Sequence, residues 1–324
     1  MEWGSGPLES VEIEVKQIDI IIPAYNEEEC IFELSRRLQT VFVKEYKYLF
    51  RVIIIENGSI DSTWEKLQEI AFKDSRFVVI KLSRNFRMDG GLTAGLQYAQ
   101  GEACVLMTAD LQDPPELISD FLRKWEEGWE NIYGIVKDRI GTGPIRTFNS
   151  KLFYLIAGKL TDGKIPRNAS DFRLVDKKVY EAVRKMNERN RFVRGLFAWV
   201  GFKSIGIPMV RQSRFAGNSK AHTFKVLDLA LKGIFAHTYI PLRFITTFGL
   251  ILSGVSFISI IPMATVWISS GVPFAGFGTL VTLFLLVIGL LSLMLGVISE
   301  YVGLIYEEVK GRPNFIVSES INLS

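Results

Sequence analysis

From Phe244 to Ser299 the chain contains no Asp, Glu, Lys or Arg. No other feature limits its fold so tightly. A helix that crosses a bilayer needs roughly 20 apolar residues, so this run is long enough for two. The competing arrangement is a buried helical hairpin in a soluble core, but core helices of this length rarely lack every charge. Two membrane spans are therefore expected, at residues 244–269 and 279–301, joined by the short uncharged loop from Ser270 to Gly278. Hydrophobic residues make up 48% of the chain, an ordinary share, so it is their concentration here that carries the signal. Lys232 and Arg243 precede the run, and Lys310 and Arg312 follow it. Basic flanks stay on the cytoplasmic side. The expectation is a multi-pass protein of the inner (plasma) membrane with the rest of the chain in the cytoplasm. Residues 221–243 lie directly before the run. From Ala221 to His237 they place Lys225 and Lys232 among Phe224, Leu227, Leu231 and Phe235. This reads as an amphipathic juxtamembrane helix, with an ordinary surface helix as the alternative.

The chain before this point has a different rhythm. Residues 1–17 form a polar, acidic leader without the apolar core of a signal peptide. From Ile18, apolar runs alternate with segments of helical spacing. Strands are expected at 18–22, 51–55, 77–82, 103–107 and 131–136, and helices at 28–46, 62–72, 89–99 and 115–127. Strand–helix alternation implies an α/β domain whose mostly parallel sheet is covered on both faces. Ligands of such sheets bind beyond the carboxyl ends of the strands. The domain is expected to cover residues 18–220, with a membrane hairpin at 244–301 and a cytoplasmic tail at 302–324. Thr147 to Leu160 adds an aromatic-rich amphipathic segment. Cys30 and Cys104 lack metal-ligand neighbours and read as buried, reduced thiols. A net charge of +3 at pH 7 is too small to argue for nucleic acid.

Polar residues gather where strands are expected to end. Pro23-Ala24-Tyr25-Asn26-Glu27-Glu28 closes the first strand, a weak signal alone, since a turn before a helix has the same composition. Glu56-Asn57-Gly58-Ser59-Ile60-Asp61-Ser62-Thr63 closes the second. There Gly58 permits a tight turn, and Asp61 or Ser62 can cap the next helix. Glu56 is not explained by turn or cap. Thr108-Ala109-Asp110-Leu111-Gln112-Asp113-Pro114-Pro115-Glu116 closes the fourth, where an acid and an amide can hold a cation or phosphate. The two prolines suit the first turn of a helix.

These segments, in order with Leu82-Ser83-Arg84-Asn85-Phe86, Ser170-Asp171-Phe172-Arg173-Leu174 and Arg214-Phe215-x-Gly217-x-Ser219-Lys220, resemble the family-two inverting glycosyltransferases of GT-A fold. The set is most similar to bacterial enzymes that load a sugar onto undecaprenyl phosphate, relatives of the dolichyl-phosphate mannose and glucose synthases. The resemblance spans residues 17–315 and includes the C-terminal pair of membrane helices. It implies a nucleotide-sugar donor, a polyprenyl phosphate acceptor, and Mg2+ or Mn2+ held by Asp110 and Gln112. Pro23, Tyr25, Glu27, Glu56, Asn57, Arg84 and Asp110 would form the donor side. Arg139, Arg173, Arg214 and Lys220 would meet the acceptor phosphate, with Arg211 nearby, because a planar guanidinium binds phosphate bidentately. Asp171 matches the acid assigned as base in this group, alongside Arg173. Its alternative role is to orient a neighbouring arginine. An acceptor that is already an anion needs little base catalysis. Relatives of this architecture assemble as tetramers, which makes a homo-tetramer possible here.

The departures from the family pattern gather on the donor side. Thr108 stands in place of an acid, and Glu56-Asn57 replaces the usual acidic pair. Arg87-Met88 replaces Gly-Lys, and Val136 sits at a common arginine position. Asn218 and Ala221 replace a Glu and a Tyr. Two readings follow. The first is an enzyme that transfers a sugar to polyprenyl phosphate with inversion, from a donor that differs from the usual one. The second is a glycosyltransferase-fold membrane protein that binds or regulates with weakened turnover. A processive polysaccharide synthase or a transporter would need more than two spans.

Overall fold

The computed structural model describes residues 15–137, 168–189, 191–211, 276–323 and isolated positions between 244 and 269. Residues 1–14 of the leader, the segment Thr147 to Leu160, the juxtamembrane segment and most of the first expected span lie outside these residues.

The elements run β1 (Gln17–Ala24), α1 (Ile31–Lys44), β2 (Leu49–Glu56), α2 (Thr63–Lys73), β3 (Phe77–Leu82), α3 (Arg87–Tyr98) and β4 (Ala103–Leu106). A 3-10 turn at Pro115–Leu117 leads into α4 (Ile118–Glu126) and β5 (Asn131–Val136). Then come β6 (Ala169–Asp176), α5 (Lys177–Arg184), α6 (Val193–Trp199), β7 (Ser204–Met209), α7 (Phe277–Lys310) and β8 (Val317–Ile321).

The strands form one sheet in the order β7-β5-β6-β4-β1-β2-β3-β8. Strands β1 to β4 are mutually parallel, β5 pairs parallel with β7, and β6 and β8 run against their neighbours. The expected α/β, mostly parallel sheet is present. Its parallel centre is mostly apolar because both faces are covered. Along β1, Ile20 and Ile22 face one layer with Leu34, Leu38 and Phe121, while Ile21 faces the other with Leu92, Leu96 and Val179. Helix α4 buries Ile118, Phe121, Leu122 and Trp125 at helical spacing, and the Phe121 ring packs 4.8 Å from that of Phe172 on β6. Cys30 and Cys104 are free and buried, as expected.

The order turns at β1: the chain steps outward through β2 and β3, then returns to place β4 on the other side. In open α/β sheets a crevice forms at such a reversal. At the opposite end of β1, Asp19 is fully buried. It accepts hydrogen bonds from Arg51 Nε and Nη2 and from the backbone N–H groups of Gln100 and Gly101. This carboxylate ties strand ends together far from the crevice.

Residues 302–324, expected as a tail, contain the end of α7 and the strand β8, so the sheet takes in chain from both sides of the apolar run. Helix α7 is 34 residues long and ends at Gly311 in a left-handed cap. Only some of its side chains are described, and among the described residues no helix is long and apolar enough to cross a membrane.

Candidate active site

A cavity of ≈ 330 Å³ opens at the crevice. Pro23, Ala24, Tyr25 and Glu27 line it from the end of β1, and Asn57 from the end of β2. Asn85 lines it from the loop before α3, Arg87 and Met88 from the first turn of α3, and Thr108, Ala109 and Asp110 from the segment after β4. Five of the expected donor-side residues thus meet in one cavity: Pro23, Tyr25, Glu27, Asn57 and Asp110. Arg84 is not among the lining residues: its guanidinium lies over the Phe86 ring, 4.1 Å from the centroid. Glu56 is fully buried, where Oε1 accepts from Ser59 N at 2.5 Å and Oε2 has no hydrogen-bond partner among the described residues.

The first two turns are laced together. Asn26 N donates to Ser59 Oγ, Ile60 N to Asn26 Oδ1 and Glu27 N to Thr63 Oγ1. Asp61, rather than Ser62, serves the start of α2, accepting from Thr63 N at 3.1 Å. Gly58 has φ +69, and a Cβ there would sit 2.6 Å from the Arg84 carbonyl carbon, so no other residue fits without a shift. Asn57 has a role beyond lining the cavity. Its Nδ2 donates to Arg87 O and its Oδ1 accepts from Phe86 N, each at 2.8 Å. Arg87 needs such restraint, because its φ of 64 is left-handed and it is not glycine. Asn26 and Leu111 share that conformation, so three strained positions lie at or beside the crevice.

Thr108 occupies the centre of the acidic box. Its hydroxyl lies 2.7 Å from Asp110 Oδ1 and 3.1 Å from Asp113 Oδ2, linking two carboxylates with one proton. Gln112 N donates to Asp110 Oδ1 at 3.3 Å. Burial raises the Asp113 carboxyl above its ordinary value, and the Arg211 charge opposes that rise. Among the described residues no group of three or more His, Cys, Asp or Glu could hold a metal. The cavity offers the carboxylates of Glu27 and Asp110 and the Thr108 hydroxyl, while Gln112 is not among the lining residues and meets Asp110 through its backbone N–H. This set does not fit a cage made of protein alone. It fits a divalent ion that completes its shell with water and substrate phosphate, the usual arrangement for magnesium.

The antiparallel pairing of β6 with β4 sets Arg173 opposite Leu106, so the amino end of β6 adjoins the acidic box. Ser170 Oγ reaches Asp113 Oδ1 at 3.4 Å. Asp171 is gripped by Arg194 of α6, whose Nε and Nη2 donate at 2.8 and 2.6 Å. Burial raises the Asp171 carboxyl, but the charges of Arg194, Arg173 and Arg211 and the Arg194 hydrogen bonds hold it below its ordinary value. A carboxylate held this way is a poor proton acceptor and a good orienting group. Arg173 is 4% exposed, with its guanidinium 5.0 Å from the Phe197 centroid and Nη2 donating to Ser170 O. Desolvation pushes its pKa down to about 10. Arg139, Arg214 and Lys220 lie outside the described residues. Arg194 escaped the sequence reading because no motif marks it. The only signal was its position in an amphipathic stretch, Arg191 to Trp199.

The glycosyl transferase family 2 profile matches residues 19–184, which hold the cavity and the acidic box. An uncharacterized glycosyltransferase of Synechocystis sp. is 39% identical over 305 residues, 94% of this chain and 95% of that protein. A prophage-derived bactoprenol glucosyl transferase of Shigella flexneri is 34% identical over 304 residues, 94% of this chain and 98% of that protein. Among solved structures, glucosyl-3-phosphoglycerate synthase of Mycobacterium tuberculosis aligns with a TM-score of 0.48 and 16% identity, covering 68% of this chain and 76% of that one. The family profile and the two relatives, which match nearly end to end, agree with the crevice geometry: the chain belongs to glycosyl transferase family 2 and is a glycosyltransferase.

Proposed function

We propose that this glycosyltransferase moves a sugar from a nucleotide-sugar to a polyprenyl phosphate, with inversion, at the cytoplasmic face of the membrane. The observation that carries this reading is the junction of two unlike regions at the carboxyl end of β4. The acidic box lines a cavity on one side, and the β6–α6 arginines stand on the other. The name of the Shigella relative, a bactoprenol glucosyl transferase, supports a polyprenyl acceptor.

In this reading Asp110 and Gln112 would hold Mg2+ or Mn2+. When bound, the cation supplies charge neutralisation for the departing nucleotide diphosphate. Thr108 keeps the box at two carboxylates and fixes the Asp110 rotamer through its hydroxyl. Pro23, Tyr25, Glu27 and Asn57 shape the donor pocket. The acceptor phosphate, already an anion, needs orientation and cationic contact more than proton removal. Asp171 therefore acts as the group that aims Arg194, and Arg211 adds positive charge beside Asp113. Arg139, Arg214 and Lys220 join this side by resemblance.

Membrane anchoring belongs to the same proposal. On α7, Leu280, Phe284, Ile288, Leu291, Leu295, Ile298, Val302, Ile305 and Val309 are exposed at spacings of three and four. A helix that bares so much apolar surface requires a lipid or protein environment.

Calorimetry tests the donor half. Titrating UDP-, GDP- and dTDP-sugars with Mn2+ is expected to show binding that disappears without the cation and in Asp110→Asn. No heat from any of these donors with either Mg2+ or Mn2+ would overturn it. The second reading, a binding protein with weakened turnover, rests on Thr108 standing in place of an acid. A folded protein that binds no nucleotide-sugar with either cation would favour it.

A further inference from the structure

We propose that the C-terminal segment Arg312–Leu323 is a positioning strap for the loop that walls one side of the cavity, and that donor affinity depends on it. That wall runs from Ser83 through the loop into the first turn of α3 at Met88 and is held from two sides. Asn57 grips it from the crevice side through Phe86 N and Arg87 O. On the other side, Ser83 N donates to Ile316 O at 2.9 Å, and Leu82 pairs with Val317 of β8. The Phe86 side chain packs in the same apolar cluster as Phe315, Val317 and Leu323, over Ile80, Leu82 and Ala94. The backbone of Asn314 closes on α3 so tightly that a Cβ at Gly90 would lie 3.2 Å from its carbonyl oxygen.

The strap is pinned at both ends. Asn322 Nδ2 donates to Ala71 O and Phe77 O. Asn314 Nδ2 donates to Glu188 O, and Glu308 of α7 accepts from Arg189 N. The loop it backs holds Arg87 in a left-handed conformation that a non-glycine residue adopts only when its surroundings impose it. Asn57 and the Gly58 turn meet one side of that loop, and the strap supplies the opposing wall. The strap also continues directly from α7, so the apolar helix and the cavity loop are joined through a few residues. These contacts span the whole chain, which is why no local motif announces them.

The effect on donor affinity rests on the donor-pocket reading, whereas the mechanical effect on the loop does not. Phe315→Ala removes a ring from the cluster that Phe86 shares. Asn322→Ala, at the far end of the strap, is the control for general loosening. Hydrogen exchange on the full-length protein is expected to show faster exchange at Phe86 and Arg87 in Phe315→Ala, with Asn322→Ala unchanged there. Misplaced positioning groups weaken function by tenfold or more. With UDP and GDP as probes in Mn2+, Phe315→Ala is therefore expected to bind about tenfold more weakly, with acceptor KM unchanged and Phe315→Leu restoring affinity. Unaltered exchange at Phe86 in Phe315→Ala overturns the strap, and so does an equal rise of donor and acceptor KM. Faster loop exchange in a protein whose unaltered form binds neither nucleotide supports the strap and counts against the donor reading alone.

Discussion

Replacing Thr108 by Val keeps the shape of the side chain and removes one hydroxyl. That hydroxyl sits 2.7 Å from Asp110 Oδ1 and 3.1 Å from Asp113 Oδ2. Asp110 is 6% exposed and Asp113 is fully buried, so water cannot readily take over. A hydrogen bond to a charged group contributes about 1.5–3 kcal/mol. One proton serves one strong bond at a time, which sets the expected loss at about 2–3 kcal/mol. For a domain of this size that is a fall of roughly 5–10 °C in melting temperature. The assay is thermal unfolding followed by circular dichroism, without divalent metal. Thr108→Ser is the control: it keeps the hydroxyl and gives up a methyl group worth about 0.8 kcal/mol. Thr108→Val is expected to melt below Thr108→Ser. If both variants melt together, the threonine acts through its methyl group and the bridging role is wrong.

Four further outcomes follow from the same geometry. Thr108→Asp sets a third carboxylate beside Asp110 and Asp113, so it is expected to lower the metal-free melting temperature and to regain it on adding Mn2+. Asp19→Ala leaves Arg51 without its buried partner and is expected to lower stability by about 3–5 kcal/mol, while donor affinity of the folded fraction stays unchanged. Arg87→Gly relieves a left-handed non-glycine residue and is expected to raise stability by about 1 kcal/mol in urea titrations. Arg194→Met removes a cation that depresses the Asp171 carboxyl. A depressed carboxylate adds stability above its unfolded pKa, near 4, and loses it as pH falls through the folded value. The variant is therefore expected to be less stable than the parent at pH 7, with the gap closing on acidification.

Much of the sheet could be read from the residues. Strands β1 to β5 are near-continuous apolar runs because both faces are buried, and helices separate them. Strand β6 is hidden in the sequence because Ser170, Asp171 and Arg173 interrupt the apolar pattern beside the acidic box. Strand β7 is hidden by Gly206 and Pro208, which suggest a loop. Strand β8 is hidden because Val-Ser-Glu-Ser-Ile is half polar, as it forms the exposed edge of the sheet, and its partner strand is distant in sequence. The same division holds in the site. Pro23, Tyr25, Glu27, Asn57 and Asp110 are legible through the family resemblance, and they line the cavity because turns at these strand ends face the crevice. Glu56 was placed correctly at the strand end, yet its carboxylate is buried under the turn. Asp19 was invisible as a tie because a buried acid inside a strand is recognised only by its donors. Arg194 became visible only when β6 and α6 came together.

The most direct measurement is a donor screen with membranes containing undecaprenyl phosphate, read by mass spectrometry of the lipid. The account predicts that one nucleotide-sugar, with Mg2+ or Mn2+, adds the mass of a single sugar to the lipid phosphate. The product should be of inverted anomeric configuration, and Asp110→Asn should abolish it. A folded, membrane-bound protein that binds lipid phosphate yet leaves it unmodified across the whole donor panel would contradict the account.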